Sequence, residues 1–237
     1  MILHTFTLTL GSTRPIHGSA HELRGFFATK FNEYAELHQH NADKFIYRYP
    51  VVQYKMSGNV PTVIGINEGA EVLKQIFDEY QEIRLGENTY QIVERGISLK
   101  DEEFGISDKI HSYEFATPWL ALNQENYRKF YTLKGKPERD EFMRKILTGN
   151  ILSMAKSLNY DVPGQIKCDA QVHFRKDRLK DVSVMVFTGK FQANFLIPDL
   201  LGIGKSVSRG FGAVRQLKGE YGGDSACSSS LTHGDRT

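Results

Sequence analysis

The chain is short of several things. It has two cysteines in 237 residues, Cys168 and Cys227. That is too few for a disulfide framework or an all-cysteine zinc site, and a reducing cytosol is the expected setting, which makes this a cytoplasmic protein. No stretch approaches the roughly 20 apolar residues that a membrane-spanning helix needs, so no membrane partner is expected. The first residues, Met1-Ile2-Leu3-His4-Thr5, begin an alternating pattern instead of the basic start and apolar run of a secretory signal. Net charge is also small, with 30 Lys+Arg against 28 Asp+Glu and a formal +2. These shortages exclude a secreted cystine-stapled fold, a membrane-embedded chain and a zinc-finger array. What is present, 40% apolar and 24% charged residues, is ordinary globular composition, with length for one large domain or two small ones.

The near-neutral total conceals a division. Residues 1–67 are net +2, residues 68–114 net −7, residues 115–218 net +9 and the last 19 residues net −2. A strongly basic C-terminal half beside an acidic middle points to one side facing a polyanion and another turned away from it. The plain alternative is clustering on a solvated surface.

Residues 2–10 alternate as a strand does. Ala20, Leu23, Phe27, Phe31 and Tyr34 then recur at spacings of three and four, the stripe of an amphipathic helix. Two short apolar runs, 45–56 and 60–66, flank the turn signal Ser57-Gly58-Asn59. A second helix is expected over 69–80 and a strand over 89–99. Strand, helix, strand, strand, helix, strand is the ferredoxin-like unit. The second half reads as a looser version: strands around 110–122 and 127–133, a helix from Pro137 to Leu158, a hairpin of 165–175 and 181–191 around a charged turn Lys176–Lys180, and a last strand near 212–218. The expected fold is therefore α+β, two tandem ferredoxin-like (RRM-like) βαββαβ domains with the second degenerate. The domains are placed at 1–118 and 119–221, with the boundary falling near 115–125. The small polar segment 222–237 reads as a disordered tail.

The sharpest local feature is Leu201-Gly202-Ile203-Gly204-Lys205-Ser206-Val207-Ser208-Arg209-Gly210-Phe211-Gly212. Glycines at this density let backbone amides approach an anion closely, while Lys205 and Arg209 add charge and Ser206 and Ser208 add hydroxyls. Three familiar motifs come close and fail. A nucleotide-binding P-loop needs glycine where Asp199 stands. A dinucleotide fingerprint needs glycine where Val207 stands. The RNA-recognition strand motif needs aromatics where Ala213 and Gln216 stand. A tight-packing turn without a ligand is the competing reading.

Of eight histidines, His4, His111 and His173 fall in expected strands, where structural roles prevail, and His233 is in the tail. His17 and His21 are four apart and could share a helix face. His38 and His40 lie in Leu37-His38-Gln39-His40-Asn41, just after the first helix, with Lys44, Tyr47 and Arg48 close behind. A histidine in a cation-rich loop can titrate near neutral pH and exchange a proton with a substrate. Two idle exposed histidines are the bland counterpart, and a His-x-His metal pair lacks support beyond Asp43.

Taken together these residues resemble the CRISPR-associated endoribonucleases that process precursor CRISPR RNA (crRNA), within the repeat-associated mysterious protein superfamily. The resemblance rests on two stretches: Gly202–Gly212, which looks like that superfamily's G-loop, and the block from Arg24-Gly25-Phe26-Phe27 through His38 and His40 to Tyr47–Lys55 and Gly65-Ile66-Asn67-Glu68-Gly69. It covers roughly residues 1–220. It implies an antiviral-defence hydrolase that binds CRISPR repeat RNA and cuts it without metal or cofactor. Attack by a ribose 2′-OH leaves a 2′,3′-cyclic phosphate and a 5′-OH. It further implies His40 as principal acid or base, His38 as its partner, Lys44 as charge stabiliser and Tyr47 as a weaker participant, with His17 and His21 as rivals. Binding is expected from Arg175, Lys176, Arg178 and Lys180 of the basic hairpin. Gly204, Lys205, Ser208, Arg209, Gly210 and Gly212 of the glycine segment complete the binding set. A CRISPR effector complex and a homodimer are the further partners the resemblance leaves open. A non-catalytic RNA-binding subunit of a CRISPR interference complex and a ferredoxin-like domain for a phosphorylated small molecule are the alternatives.

Overall fold

Strand β1 (Ile2–Ser12) alternates: Phe6, Leu8 and Leu10 point to one face, Leu3 and Thr5 to the other, and all are buried. Both faces of this strand are therefore covered, which sets the architecture. The computed structural model describes residues 1–38, 40–41, 44–45, 49–179 and 182–217, and for 38, 40, 41, 44, 45, 178 and 179 the backbone alone. The expected tail, 222–237, lies outside the described residues.

After β1, the helix α1 (Ala20–Lys30) starts at Ser19, whose hydroxyl accepts from the Glu22 amide while the Glu22 carboxylate accepts from the Ser19 amide. That reciprocal capping fixes the helix start. A short helix α2 (Ala35–His38) and a two-rung ladder β2 (His40–Asn41) and β3 (Lys44–Phe45) follow. Then come β4 (Val52–Ser57), β5 (Val60–Ile66), α3 (Glu68–Ile76), β6 (Glu82–Leu85) and β7 (Asn88–Glu103). The sheet runs β4-β5-β1-β7-β6 and is antiparallel throughout. This is ferredoxin-like order with β6, which the sequence reading did not foresee, added at one edge.

The second sheet is built from β8 (Gly105–Phe115), β9 (Cys168–Leu179), β10 (Val182–Leu196) and β11 (Val214–Gln216), in the order β11-β8-β10-β9. Between β8 and β9 lie α4 (Gln124–Thr132) and α5 (Lys136–Ser157). The strand order again matches the ferredoxin-like unit. Its second helix is missing, and the segment between β10 and β11 holds the glycine run with a single 3₁₀ turn, Val207–Arg209. That substitution is what makes this domain degenerate. Among the described residues no helix is long and apolar enough to cross a membrane.

Two expected elements are corrected. Residues 127–133 are not a strand but most of α4. Asn123 caps it, its side-chain oxygen accepting from the Asn126 amide at 2.7 Å, and Phe130 is its buried residue. The dense aromatics Tyr127, Phe130 and Tyr131 suggested a strand, yet their spacing of three and four is helical. The charged residues Lys176–Leu179 are not a turn, because β9 continues through Leu179. A ribbon extending past the core is solvated and tolerates charge on a strand.

Two clusters form the interior. Phe6, Leu8, Leu23, Phe27, Tyr54, Leu73 and Ile83 pack between the first sheet and its helices. The other cluster centres on Trp119, Leu147, Ile151, Phe187 and Phe195 of the second domain, and Leu3, Ile64 and Ile66 from the back face of the first sheet join it. The two domains thus share a core. Gln53 and Lys55 in β4 lie on that same back face, since they pair with Ile64 and Thr62. The second domain covers them almost completely, at 0% and 1% exposure.

A buried lysine is costly unless it is hydrogen-bonded. Lys55 Nζ donates to Gln53 Oε1 (3.2 Å) and to the Val207 carbonyl in the glycine segment (3.0 Å). Gln53 Oε1 also accepts from the Gly202 amide (3.0 Å), and Gln53 Nε2 donates to the Pro50 carbonyl (3.1 Å). Two side chains of one domain thereby hold the backbone of the other at two points. Burial lowers the Lys55 ammonium to a pKa of about 7 from its ordinary 10.5. Below pH 7 native and unfolded chains both carry the proton and the burial penalty is felt in full. Above pH 7 the native state releases it while the unfolded state keeps it up to about pH 10.5, so stability rises with pH across that window. Wild type should therefore gain on Lys55→Met by up to about 1.4 kcal/mol per pH unit above pH 7, read by urea denaturation at pH 6, 8 and 9. A stability difference independent of pH would contradict the burial of this lysine.

Candidate functional site

The glycine segment is the junction on which the site is built. Its glycines meet close neighbours: a Cβ at Gly210 would lie 2.7 Å from the Ala20 Cβ of α1, and one at Gly204 would lie 2.6 Å from the Trp119 indole nitrogen. Both have positive φ, +96° and +94°, where L side chains are strained. Many of the segment's amides are already engaged: Gly202 by Gln53, Ile203 by the Gly212 carbonyl, Lys205 by the Leu120 carbonyl, and Gly212 by the Pro118 carbonyl. The glycines therefore serve close packing, and those four amides point at protein acceptors. What the segment presents outward are side chains: Lys205 is exposed, Ser206 and Arg209 are half-buried, and Ser208 is buried at 8%. Ser206 itself sits in the left-handed region, φ +54°, a strained conformation at the mouth of the turn.

On one side of the segment is a cavity of about 550 Å³. Lys205, Ser206 and Ser208 form one wall, Asn150, Ser153 and Ser157 of α5 another, and Asn123 and Asn126 a third, with Tyr49 and Pro50 closing it. Amides and hydroxyls dominate, with one cation. Such a lining offers donors and acceptors to a polar ring and charge to a phosphate. Asn150 is fixed by accepting from Trp119 Nε1 at 3.2 Å.

On the other side α1 crosses the 3₁₀ turn. Arg24 lies in this helix: burial first, and the Arg209 charge second, push its guanidinium below its ordinary value. Like charges that oppose one another across a seam favour an anion nearby. His21 follows Ala20, the residue that faces Gly210, in the first turn of the same helix. His17 precedes the Ser19 cap, so the two do not share a helix face, which corrects that expectation. The His17 amide instead donates to the Tyr90 hydroxyl at 3.1 Å.

The loop with His38, His40 and Lys44 is anchored where it meets this junction. Leu37 is buried and its carbonyl accepts from the Tyr54 hydroxyl at 3.3 Å. At the other end the Tyr49 hydroxyl donates to the Gly202 carbonyl at 2.7 Å. Burial pushes the Tyr49 phenol well above its usual pKa, so it remains a donor. His38 closes α2, which intervenes between the first helix and the loop, and the His40–Asn41 and Lys44–Phe45 ladder lies between the two anchors. The side chains of His38, His40 and Lys44, and all of Tyr47, lie outside the description.

The basic hairpin is divided. Lys176 pairs with Met185 and Arg175 with Val186, so successive residues face opposite sides. Arg175 is paired with Asp177 at 3.2 Å. The side chain of Arg178 and all of Lys180 lie outside the description. His4 pairs with Asp101 (2.6 Å), His111 contacts Ser107 and Gln216, and His173 is exposed on β9. Among the described residues no three His, Cys, Asp or Glu side chains converge as a metal site would require. The sequence reading missed Arg24 and the asparagine wall. Asn123-x-x-Asn126 was the available signal, being a helix cap where a strand was expected.

Comparison with known proteins fits this architecture. Residues 1–103 match the model of the Cas6b N-terminal domain and residues 105–217 that of the Cas6b C-terminal domain. A crystal structure of Cas6b is 35% identical, with a TM-score of 0.83 over 92% of this chain and 100% of that one. A second, of the CRISPR RNA processing endoribonuclease Cas6b, is 32% identical with a TM-score of 0.73 over the same shares. An uncharacterised protein of Methanocaldococcus jannaschii is 37% identical over 150 residues, 61% of this chain and 98% of that protein. With both of its domains matched in succession, the chain belongs to the Cas6b family.

Proposed function

We propose that this chain is an endoribonuclease that cuts precursor CRISPR RNA within its repeats, without a metal ion, leaving a 2′,3′-cyclic phosphate and a 5′-hydroxyl. The observation that carries the reading is the convergence at the domain seam. The segment that bears two histidines and a lysine is anchored at its ends, Leu37 and Tyr49, and Tyr49 itself lines the amide-bearing cavity beside the glycine segment. Family membership and the 32%-identical CRISPR RNA processing relative support it.

The residues divide the work as follows. Arg24 and Arg209 on one side, and Lys205 and Ser208 on the other, hold phosphates flanking the scissile bond, while the cavity takes a nucleotide. One imidazole, His40, removes the proton from the 2′-hydroxyl. The oxygen attacks the adjacent phosphorus, and the P–O5′ bond breaks. A second protonated imidazole, His38, delivers a proton to the departing 5′-oxygen. Lys44 offsets charge on the pentacovalent transition state, with Tyr47 as a further donor. Neutral and protonated histidine coexist near pH 6.5, which suits a base and an acid acting in one step. His21, in the first turn of α1 beside the turn, is the nearest rival.

Three results are expected. Purified protein cuts repeat RNA in excess EDTA, and mapped ends are cyclic phosphate and 5′-hydroxyl. His40→Ala loses about 10²- to 10⁴-fold in single-turnover rate with affinity changed only a few-fold. Binding without cutting by the wild type would instead favour the non-catalytic subunit. Arg24→Ala and Arg209→Ala weaken binding, and each reduces the slope of log affinity against log salt by about 0.7 for a single strand, measured by fluorescence polarisation. An unchanged slope would remove the pair from the RNA path.

A further inference from the structure

Helix α4 presents an aromatic face that nothing in the fold explains. Phe130 points inward and packs edge-on against Phe174 and Phe187, at 5.5 and 5.7 Å. Tyr127 and Tyr131, four residues apart, remain outside with their rings 5.1 Å from one another. Their exposures are 42% and 52%, and that of the adjoining Phe174 is 50%. Among the described residues these are the aromatic side chains left so open, and all three lie in one patch. Exposed aromatic area gathered in one place marks a binding surface.

The patch is also cationic. Arg128, next to Tyr127, is exposed and lines the same shallow cavity as that tyrosine. Lys176 shares the Phe174 face of β9, since both pair with inward residues, Met185 and Phe187. Its charge reaches the Tyr127 hydroxyl. Beside Tyr127 a shallow cavity of about 390 Å³ includes Arg128 and Ser183. Asn123, the cap of α4, lines both this cavity and the one beside the glycine segment, so the two lie on either side of the helix start.

Open rings beside cations match what a single strand of nucleic acid offers, π-faces joined by phosphates. We propose that the Tyr127–Tyr131 face of α4, with Phe174 and Lys176 of β9, is a stacking platform for unpaired nucleotides of the substrate RNA, continuing from the glycine-segment cavity past Asn123. This rests on the RNA-cleaving reading above. Bases stack on the rings without sequence preference, and Arg128 and Lys176 take the phosphates between them. The platform would hold the strand at a distance from the cut and so act on affinity more than on the chemical step.

The test uses the full chain and repeat RNA carrying a 2′-deoxy block at the cleaved nucleotide, with 2-aminopurine placed in turn at each unpaired position. The wild type should quench one or two positions away from the cut. Tyr127→Ala/Tyr131→Ala should lose that quenching and about ten-fold or more in affinity, with the salt slope unchanged. Its single-turnover rate on unblocked RNA, at saturating protein, should fall far less than its affinity. Tyr127→Phe/Tyr131→Phe, which keeps the rings, should restore both quenching and affinity, and this guards against misfolding as the cause. Affinity within two-fold of wild type in the alanine variant, or no quenched position, overturns the platform. Loss of binding to a protein component with RNA binding intact overturns it equally. If the wild type neither binds nor cuts repeat RNA, it is the function that fails; if it cuts and the alanine variant matches it throughout, only the platform does.

Discussion

The joint between the domains depends on a lysine and a glutamine buried on the back of a sheet. Lys55 and Gln53 reach across to the Val207 carbonyl and the Gly202 amide. Hydrogen bonds of this kind are modest when made and expensive when half-made, because an unpaired buried polar group keeps its full desolvation cost. The arrangement therefore tolerates little displacement. If the glycine segment shifted, Lys55 would lose the Val207 carbonyl and keep only Gln53 as acceptor in an apolar seam. Apolar contacts of Leu3, Ile64 and Ile66 with the second core provide adhesion, while the polar pair sets the register in which the domains meet.

That register is what brings Tyr49 of the first domain to the cavity beside the glycine segment of the second. The first domain supplies Arg24, Leu37 and Tyr49, and the second supplies Arg209, Lys205 and the asparagine wall. Each domain thus supplies one side of this junction. The second domain can contribute a loop here because it lacks the second helix of its repeat. With a glycine-rich run in that position, backbone approaches α1 and Trp119 more closely than a helix with side chains could. The glycines were expected to bare amides for an anion. Packing has claimed several of them, and what the segment leaves toward solvent are the side chains of Lys205, Ser206 and Arg209.

Much of the fold was legible in order and type. Period-two alternation found β1, two apolar runs split by the turn signal Ser57-Gly58-Asn59 found the pair β4 and β5, and the three-four spacing of Ala20, Leu23 and Phe27 found α1. Reading failed where local composition and spacing disagreed. Tyr127, Phe130 and Tyr131 look like strand residues by type and helical residues by interval, and the interval was right. In β9 the charged run resembled a turn, yet a ribbon outside the core needs no apolar face. Glycine density marked the junction correctly as a place, although its amides turned out to be engaged within the fold.

The sequence by itself determined most of the elements, the duplication of one strand order and the position of the glycine-rich junction, since periodicity and turn chemistry are local. It could not determine that Gln53 and Lys55 would be buried. An alternating strand with one polar face reads as half-exposed, and only the second domain, arriving on that face, removes it from water. Nor could it pair Arg24 with Arg209, or join the asparagines of α4 and α5 to a loop more than 70 residues away. Those neighbours are made by the packing of two sheets against each other, a long-range event that leaves no signature within either stretch of chain.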